Sequence, residues 1–244
     1  MAGERVHRPR VSLTIAWAIL LVSVIWIGCG GLEVTRYYES GAVATAAPLA
    51  THVGEQVFAE GGNAFDVAVA VGFALAVVHP QAGNIGGGGF AVIRDGNTGE
   101  IKALDFRETA PAAAFESMYL DGEENVIADA STKGAKAAGV PGTVAGLYEL
   151  WQERGTLPWE TLVGFSAMMA DTGFIVDDYL AEKLNDYRQE LEAFEPTARQ
   201  FFPGGRAVAA GERLVQKDLA KTLFLIAAEG KEGFYSGEVA QWVE

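Results

Sequence analysis

Arg107 is the side chain of this sequence best suited to binding a substrate, and it stands in the stretch "LDFRETAP" at residues 104–111. A guanidinium group can donate two parallel hydrogen bonds to a carboxylate, and this geometry would let Arg107 recognise a substrate that carries one. The alternative is an ion pair with a neighbouring carboxylate, Asp105 or Glu108. Spacing alone favours the ion pair, because structural ion pairs are commoner than binding sites.

The histidines and the cysteine do not have the spacing of a metal site. His7, His52 and His79 are scattered along the chain, and Cys29 is its one cysteine. We therefore expect no metal ion and no intrachain disulfide. His79 precedes Pro80, which favours an extended backbone at the end of a helix, and we expect its role to be structural.

The amino terminus has the pattern of a targeting segment. Residues 1–10 carry three arginines against one glutamate, and residues 11–27 form an uncharged apolar run. This order is typical of a signal peptide or a membrane anchor over residues 1–28, with residues 29–40 as a tether, and it predicts an exported protein in the periplasm or at the cell envelope. Cys29 follows in "WIGCGG" and is either a lipid-attachment site or an incidental cysteine.

The composition indicates a folded, acidic protein. Half of the 244 residues are hydrophobic, and the formal net charge is −14. A chain of this length can bury one sizeable core. Its negative charge argues against binding nucleic acid through the phosphates.

Four consecutive glycines, Gly86 to Gly89, precede a β-branched run in "HPQAGNIGGGGFAVI". They are not a phosphate loop, because no Lys-Ser/Thr pair follows and the order is helix before and strand after. The glycines instead predict a close backbone approach at the start of a strand. We expect the neighbour to be the buried helix that precedes them.

Helices and one hairpin must position these residues. Strand-like runs at 90–94 and 100–107 flank an Asp-Gly turn and predict a β-hairpin with Arg107 at its far end. A short buried strand is predicted at 42–46. Apolar spacing and capping residues predict helices at 52–60, 64–78, 143–154, 158–171, 178–192 and within "KDLAKTLFLIAAEG". Together these elements predict an α+β arrangement with helices packed on a sheet.

Four motifs follow one another in a specific order: GGNA-x-D, HPQ-x-GN-x-GGGGF, DFRE-x-AP and PGTVAG. Each alone is weak, but their combination resembles the N-terminal part of the γ-glutamyltranspeptidases, also called glutathione hydrolases. The similarity begins near residue 41 and continues to the end. Residues 41–244 are therefore identified as a partial domain of this family.

The resemblance implies an N-terminal-nucleophile hydrolase fold, a four-layer αββα sandwich of which this chain holds the large-subunit part. Members of the family are precursors that cleave themselves, and the new N-terminal threonine of the small subunit is the nucleophile, with its own α-amine as base. The γ-glutamyl group of glutathione forms an acyl-enzyme and passes to water or to an amino acid. No metal or organic cofactor is implied. By its position in the DFRE motif, Arg107 corresponds to the arginine that binds the α-carboxylate of the substrate.

The nucleophile of the family lies beyond the matching region. Thr222 is the last threonine of the chain and falls inside a predicted helix. We therefore expect no catalytic residue here, no activity from this chain by itself, and a partner subunit cut from the same precursor. Two alternatives stay open. One is a related amidase or acylase acting on a β-lactam side chain or on poly-γ-glutamate, and the other is a non-catalytic, membrane-tethered binding protein on the same scaffold.

Overall fold

The computed structural model describes residues 41–243. The predictions made for residues 1–28, 29–40 and Cys29 lie outside the described residues. None of the helices within 41–243 has the length and the apolar character needed to cross a membrane.

The described part of the chain is a set of helices with two short antiparallel strand pairs. The helices are α1 (Pro48–Ala59), α2 (Ala64–Val78), α3 (Thr143–Arg154), α4 (Trp159–Thr172), α5 (Asp178–Asp186), α6 (Arg188–Glu192), α7 (Glu195–Phe201), α8 (Lys217–Glu229), α9 (Glu232–Tyr235) and α10 (Gly237–Val243), with single 3₁₀ turns at Ala135–Ala137 and Pro203–Gly205. The strands are β1 (Phe90–Arg94), β2 (Ile101–Asp105), β3 (Phe174–Ile175) and β4 (Arg213–Leu214). Both kinds of element are present, as an α+β chain requires.

Helix α2 is the centre of the core. It is apolar on nearly all faces and packs against α1, α3 and α4, while α4 packs in turn against α8. Phe73 of α2 is fully buried and meets the ring of Trp159 edge to face, with 5.6 Å between the ring centroids. A helix that is apolar all round must be covered on most sides, and this packing covers it.

Asn63 and Asp66 cap the N-terminus of α2. The side chain of Asn63 accepts hydrogen bonds from the amides of Phe65 and Asp66, and the Asp66 carboxylate accepts one from the amide of Asn63. Asp66 is fully buried and also accepts bonds from Thr156 and Leu157, in the loop between α3 and α4. The cap therefore ties α2 to that loop as well as starting the helix.

Strands β1 and β2 form the predicted hairpin, with Phe90 opposite Asp105 and Arg94 opposite Ile101. Its inner face packs Ile93 and Leu104 against the helical core. Because side chains alternate along a strand, Phe90, Val92 and Ile101 share the other face, where they are 65 %, 78 % and 68 % exposed. The hairpin therefore has one covered and one open apolar face.

Two local predictions are wrong, and one strand pair was not predicted. Residues 42–46 form no strand, because Thr45 bonds to the backbone of Ala47 and leads the chain into α1. Residues 178–192 form two helices, α5 and α6, with a break at Tyr187 where ψ is 19°. The pair β3–β4 was not expected, because strands of two residues carry no period that the sequence could reveal.

Candidate functional site

Arg107 lies just beyond the end of β2, with its side chain 66 % exposed. Its guanidinium carbon is 6.0 Å from the centroid of the Phe90 ring, on the open face of the hairpin. Its backbone N–H donates to the Asp105 carboxylate at 3.0 Å, which ends the strand with a local turn. The side chain of Arg107 therefore contacts Phe90 at the start of the hairpin, and its backbone bonds to Asp105 at the end of the hairpin.

The ion-pair alternative for Arg107 is weak in the structure. Within residues 41–243 its ion pair is with Glu108, where 3.9 Å separates Nε from Oε2, longer than a hydrogen bond. The carboxylate of Asp105 accepts from the backbone of Arg107 and is not among its ion-pair partners in this part of the chain. The guanidinium is consequently open to a carboxylate that approaches from solvent.

The glycine run lies against the strand end that carries Arg107. A Cβ added to Gly88 would stand 2.5 Å from the carbonyl oxygen of Phe106 and 2.6 Å from Cα of Arg107, and one added to Gly89 would stand 2.8 Å from the Phe106 ring. Gly89 also exchanges two backbone hydrogen bonds with Phe106. The bare backbone thus permits contact with the end of β2, and the expected approach of this run to the preceding helix is wrong. It is Gly83, upstream of the run, that packs against α2 at the Leu75 carbonyl.

A second glycine-containing segment, "PGTVAG" at residues 141–146, packs on the same strand end; it includes the first turn of α3, and we call it the second glycine loop. Gly142 lies against the Phe106 carbonyl and Gly146 against the Phe106 ring, in both cases too close for a side chain. The amides of Gly142 and Thr143 donate to the carbonyl oxygen of Gly87 at 2.7 and 3.0 Å. The two glycine loops therefore bond to each other as well as enclosing the residue before Arg107.

Tyr235 of α9 holds this second loop from the other side. Its hydroxyl donates to the carbonyl of Pro141 at 2.8 Å and accepts from the amide of Ala145 at 3.2 Å. Burial raises the pKa of Tyr235, and the hydroxyl stays protonated as this donor role requires. Sequence reasoning did not identify Tyr235, since its partners lie about ninety positions away in the chain.

The histidines do not join this site. His52 is exposed and pairs with Glu55, whereas His79 stacks on Tyr179, with 5.9 Å between the ring centroids, beside a cavity of about 740 Å³. No group of three or more potential ligands for a metal ion occurs among residues 41–243. His7 and Cys29 lie outside those residues.

Comparison with known proteins decides the family. The γ-glutamyltranspeptidase family model matches residues 50–244, a range that includes both glycine loops and Arg107. The chain belongs to the γ-glutamyltranspeptidase family. The resemblance predicted from the four ordered motifs is therefore confirmed.

Relatives within the γ-glutamyltranspeptidase family share much of this sequence and fold. The chain is 48 % identical over 203 residues to a glutathione hydrolase proenzyme of Pseudomonas sp. (strain A14) and 45 % identical over 206 residues to one of Escherichia coli. These matches cover 83 % and 84 % of this chain but 35 % of each relative. The chain thus spans about a third of the length of these relatives, at their N-terminal portion.

A solved structure gives the same result for the fold. The γ-glutamyltranspeptidase of Helicobacter pylori superposes with a TM-score of 0.83 at 45 % identity, over 86 % of this chain and 60 % of that one. Residues 41–243 therefore have part of a γ-glutamyltranspeptidase fold.

Proposed function

We propose that the complete protein containing these residues is a γ-glutamyltransferase and glutathione hydrolase. The observation that carries the proposal is the position of Arg107, whose backbone is enclosed by two glycine loops while its guanidinium stays open to solvent. A fixed Cα with an open guanidinium suits the recognition of a small carboxylate-bearing substrate. The names of the related proenzymes support glutathione as that substrate.

In this proposal Arg107 binds the α-carboxylate of the γ-glutamyl group. The bidentate contact fixes one end of the substrate, so that its γ-carbonyl reaches the nucleophile in a single orientation. The nucleophile is the N-terminal threonine of a small subunit cut from the same precursor, and its α-amine takes the hydroxyl proton. The hydroxyl oxygen attacks the γ-carbonyl, the amine of the rest of the substrate leaves with a proton, and water or an amino acid then releases the acyl group.

We also propose that the fold is completed as a four-layer αββα sandwich. The open face of the hairpin supports this, since Phe90, Val92 and Ile101 form an apolar surface on two strands with no covering layer among residues 41–243. A second sheet packed on this face would bury those side chains. It would also close one side of the space in front of Arg107.

Export to the periplasm or cell envelope belongs to the same proposal, supported by the basic and apolar pattern of residues 1–28. Mass spectrometry of the mature N-terminus separates the three outcomes. A cleaved signal, a lipid on Cys29 and a retained anchor each give a different mass. Cell fractionation supplies the refuting result, since protein with an intact N-terminus in the cytoplasmic fraction would contradict export.

The test compares wild type, Arg107→Lys and Arg107→Ala in the complete protein. The substrates are L-γ-glutamyl-p-nitroanilide and 4-aminobutanoyl-p-nitroanilide, which differ in the α-carboxylate. Losing the partner of a carboxylate costs about 2–5 kcal/mol, and the exposure of Arg107 favours the lower end, which corresponds to about a 30-fold loss of kcat/KM. Arg107→Ala should show this loss on the γ-glutamyl substrate only.

Arg107→Lys keeps the charge without the fork and should fall between wild type and Arg107→Ala. Unchanged kinetics in Arg107→Ala would refute the assignment of Arg107. Faster hydrolysis of β-lactam side chains or of poly-γ-glutamate than of glutathione would favour the acylase alternative. Binding without turnover of any of these compounds would favour the non-catalytic alternative.

A further inference from the structure

Asn84 lies where the two glycine loops meet, although nothing in the proposed reaction uses it. Its side-chain oxygen accepts a hydrogen bond from the amide of Gly87 at 2.7 Å and another from the hydroxyl of Thr143 at 3.0 Å. Thr143 is 7 % exposed, and 59 positions separate it from Asn84 in the chain. One side-chain carbonyl therefore joins the glycine run to the start of α3.

The backbone bonds around Gly87 complete this junction. While the amide of Gly87 is held by Asn84, the carbonyl of Gly87 accepts from the amides of Gly142 and Thr143. Gly87 thus has its donor and its acceptor both used within the junction. The peptide groups on either side of Gly87 are held in direction, which sets the course of the chain into Gly88.

Gly88, the residue that follows Gly87 in the chain, connects this junction to the backbone of Arg107. Gly88 lies so close to Phe106 and Arg107 that a single added carbon would overlap both, and Gly142 lies against the Phe106 carbonyl. A shift of either glycine loop would therefore move the Cα of Arg107 or leave a gap beside it. Close packing of this kind transmits a displacement from one segment to the next, because there is no empty space between them to absorb it.

We propose that Asn84 is a positioning residue for carboxylate recognition by Arg107, with the Thr143 hydroxyl as its donor partner. The proposal rests on the proposed function, because Asn84 is assigned the role of fixing the position from which Arg107 binds the substrate carboxylate. Asn84 itself contacts no reacting atom in this proposal. It acts through Gly87 and Gly88 on the backbone of Arg107.

Kinetics on the two anilides distinguish positioning from general support of the fold. In Asn84→Ala the amide of Gly87 and the Thr143 hydroxyl lose their acceptor. We expect KM for L-γ-glutamyl-p-nitroanilide to rise by about 10-fold with kcat within about 2-fold, since binding common to ground and transition state is lost. The 4-aminobutanoyl substrate should respond by less than about 2-fold, because it has no carboxylate for Arg107 to bind.

Conservative variants provide the matched controls. Asn84→Asp and Thr143→Ser keep the acceptor and the donor, and both should retain a KM within about 3-fold of wild type, whereas Thr143→Val removes the donor and should resemble Asn84→Ala. An equal loss on both substrates in Asn84→Ala, or a KM in Thr143→Ser as high as in Thr143→Val, would overturn the proposal. Should Asn84→Ala fail to fold, the Thr143 pair carries the same comparison.

Hydrogen exchange supplies a readout that does not depend on activity. In Asn84→Ala the amides of Gly142 and Thr143 should exchange at least about 10-fold faster than in wild type, because their acceptor Gly87 is released. Unchanged exchange at both amides would overturn the proposal. The proposed function fails separately: it is refuted if Arg107→Ala leaves KM for L-γ-glutamyl-p-nitroanilide unchanged. If Arg107→Ala raises this KM and Asn84→Ala does not, the positioning role of Asn84 alone is overturned.

Discussion

Substitution of Gly88 by alanine tests the central packing contact of the site. The new Cβ would lie 2.5 Å from the carbonyl oxygen of Phe106 and 2.6 Å from Cα of Arg107, whereas ordinary contact begins at 3.4 Å. Both neighbours are backbone atoms and cannot turn away as a side chain would. Either the glycine run or the strand end must therefore move by roughly 0.9 Å.

The size of this movement sets the expected effects. Overpacking of a tight contact costs about 1–3 kcal/mol in the free energy of unfolding. If the strand end moves, the Cα of Arg107 moves with it, and a misplacement of about 1 Å can cost about 100-fold in kcat/KM. We expect this loss in KM for a substrate with an α-carboxylate, because the guanidinium is displaced from the group it binds.

Gly86→Ala is the matched control, two residues away in the same run. A Cβ on Gly86 meets nothing within 4 Å, and neither Gly86 nor Gly88 has a positive φ. Gly86→Ala should therefore be neutral or raise the free energy of unfolding by up to about 1 kcal/mol, through the lower entropy of the unfolded chain. Urea denaturation followed by circular dichroism measures both variants. Equal midpoints for the two would refute the close approach of Gly88 to Arg107.

Three other substitutions test the frame around the site. Asp66→Asn should lower the free energy of unfolding by about 2–3 kcal/mol at pH 7. Burial acts to raise the pKa of Asp66, but its hydrogen bonds outweigh burial and lower the pKa. The difference in stability between wild type and Asp66→Asn should therefore shrink as pH falls below about 4, because Asp66 binds a proton in the unfolded chain before it does so in the folded protein. Urea midpoints measured from pH 7 to pH 3 check this expectation. Tyr235→Phe should cost about 1–2 kcal/mol and speed hydrogen exchange at the amide of Ala145, and equal exchange would contradict it. Trp159→Phe removes a buried indole donor from the carbonyl of Ile226 and should cost about 2 kcal/mol by thermal denaturation; an unchanged melting temperature would count against that bond.

Helices α2 and α3 and strand β1 were predictable to the residue from the sequence. Asn63 and Asp66 begin α2 through a local capping box, and the apolar run between Ala64 and Val78 has no interruption that would end it early. The hairpin was predictable because an Asp-Gly turn separates two β-rich runs. These signals lie within a few residues of the elements they predict, so they can be recognised without knowing which other segments pack against those elements.

The assembly of the site was not predictable, because its bonds join distant segments. Nothing near Asn84 indicates that Thr143 is its partner, and nothing near Phe106 indicates that Gly142 and Gly146 lie against it. The glycine run did predict a close backbone approach. It did not say which neighbour approaches, and the nearest apolar helix in sequence was the wrong one. The role of Arg107 in carboxylate binding stays a prediction.

The structure divides the work at Arg107 between a fixed backbone and an open side chain. Phe106 and the Cα of Arg107 are packed by glycines that leave no room for a methyl group. Within residues 41–243, by contrast, the guanidinium has a long contact with Glu108 and lies over the exposed ring of Phe90. A flexible side chain on a fixed Cα can still bind one carboxylate geometry well, because its reach is measured from a point that does not move. In the proposed function, the glycines of both loops therefore serve recognition by fixing the Cα of Arg107, without touching the substrate. Because the glycines have no side chains, they can pack closely enough to fix the Cα from which the Arg107 side chain extends.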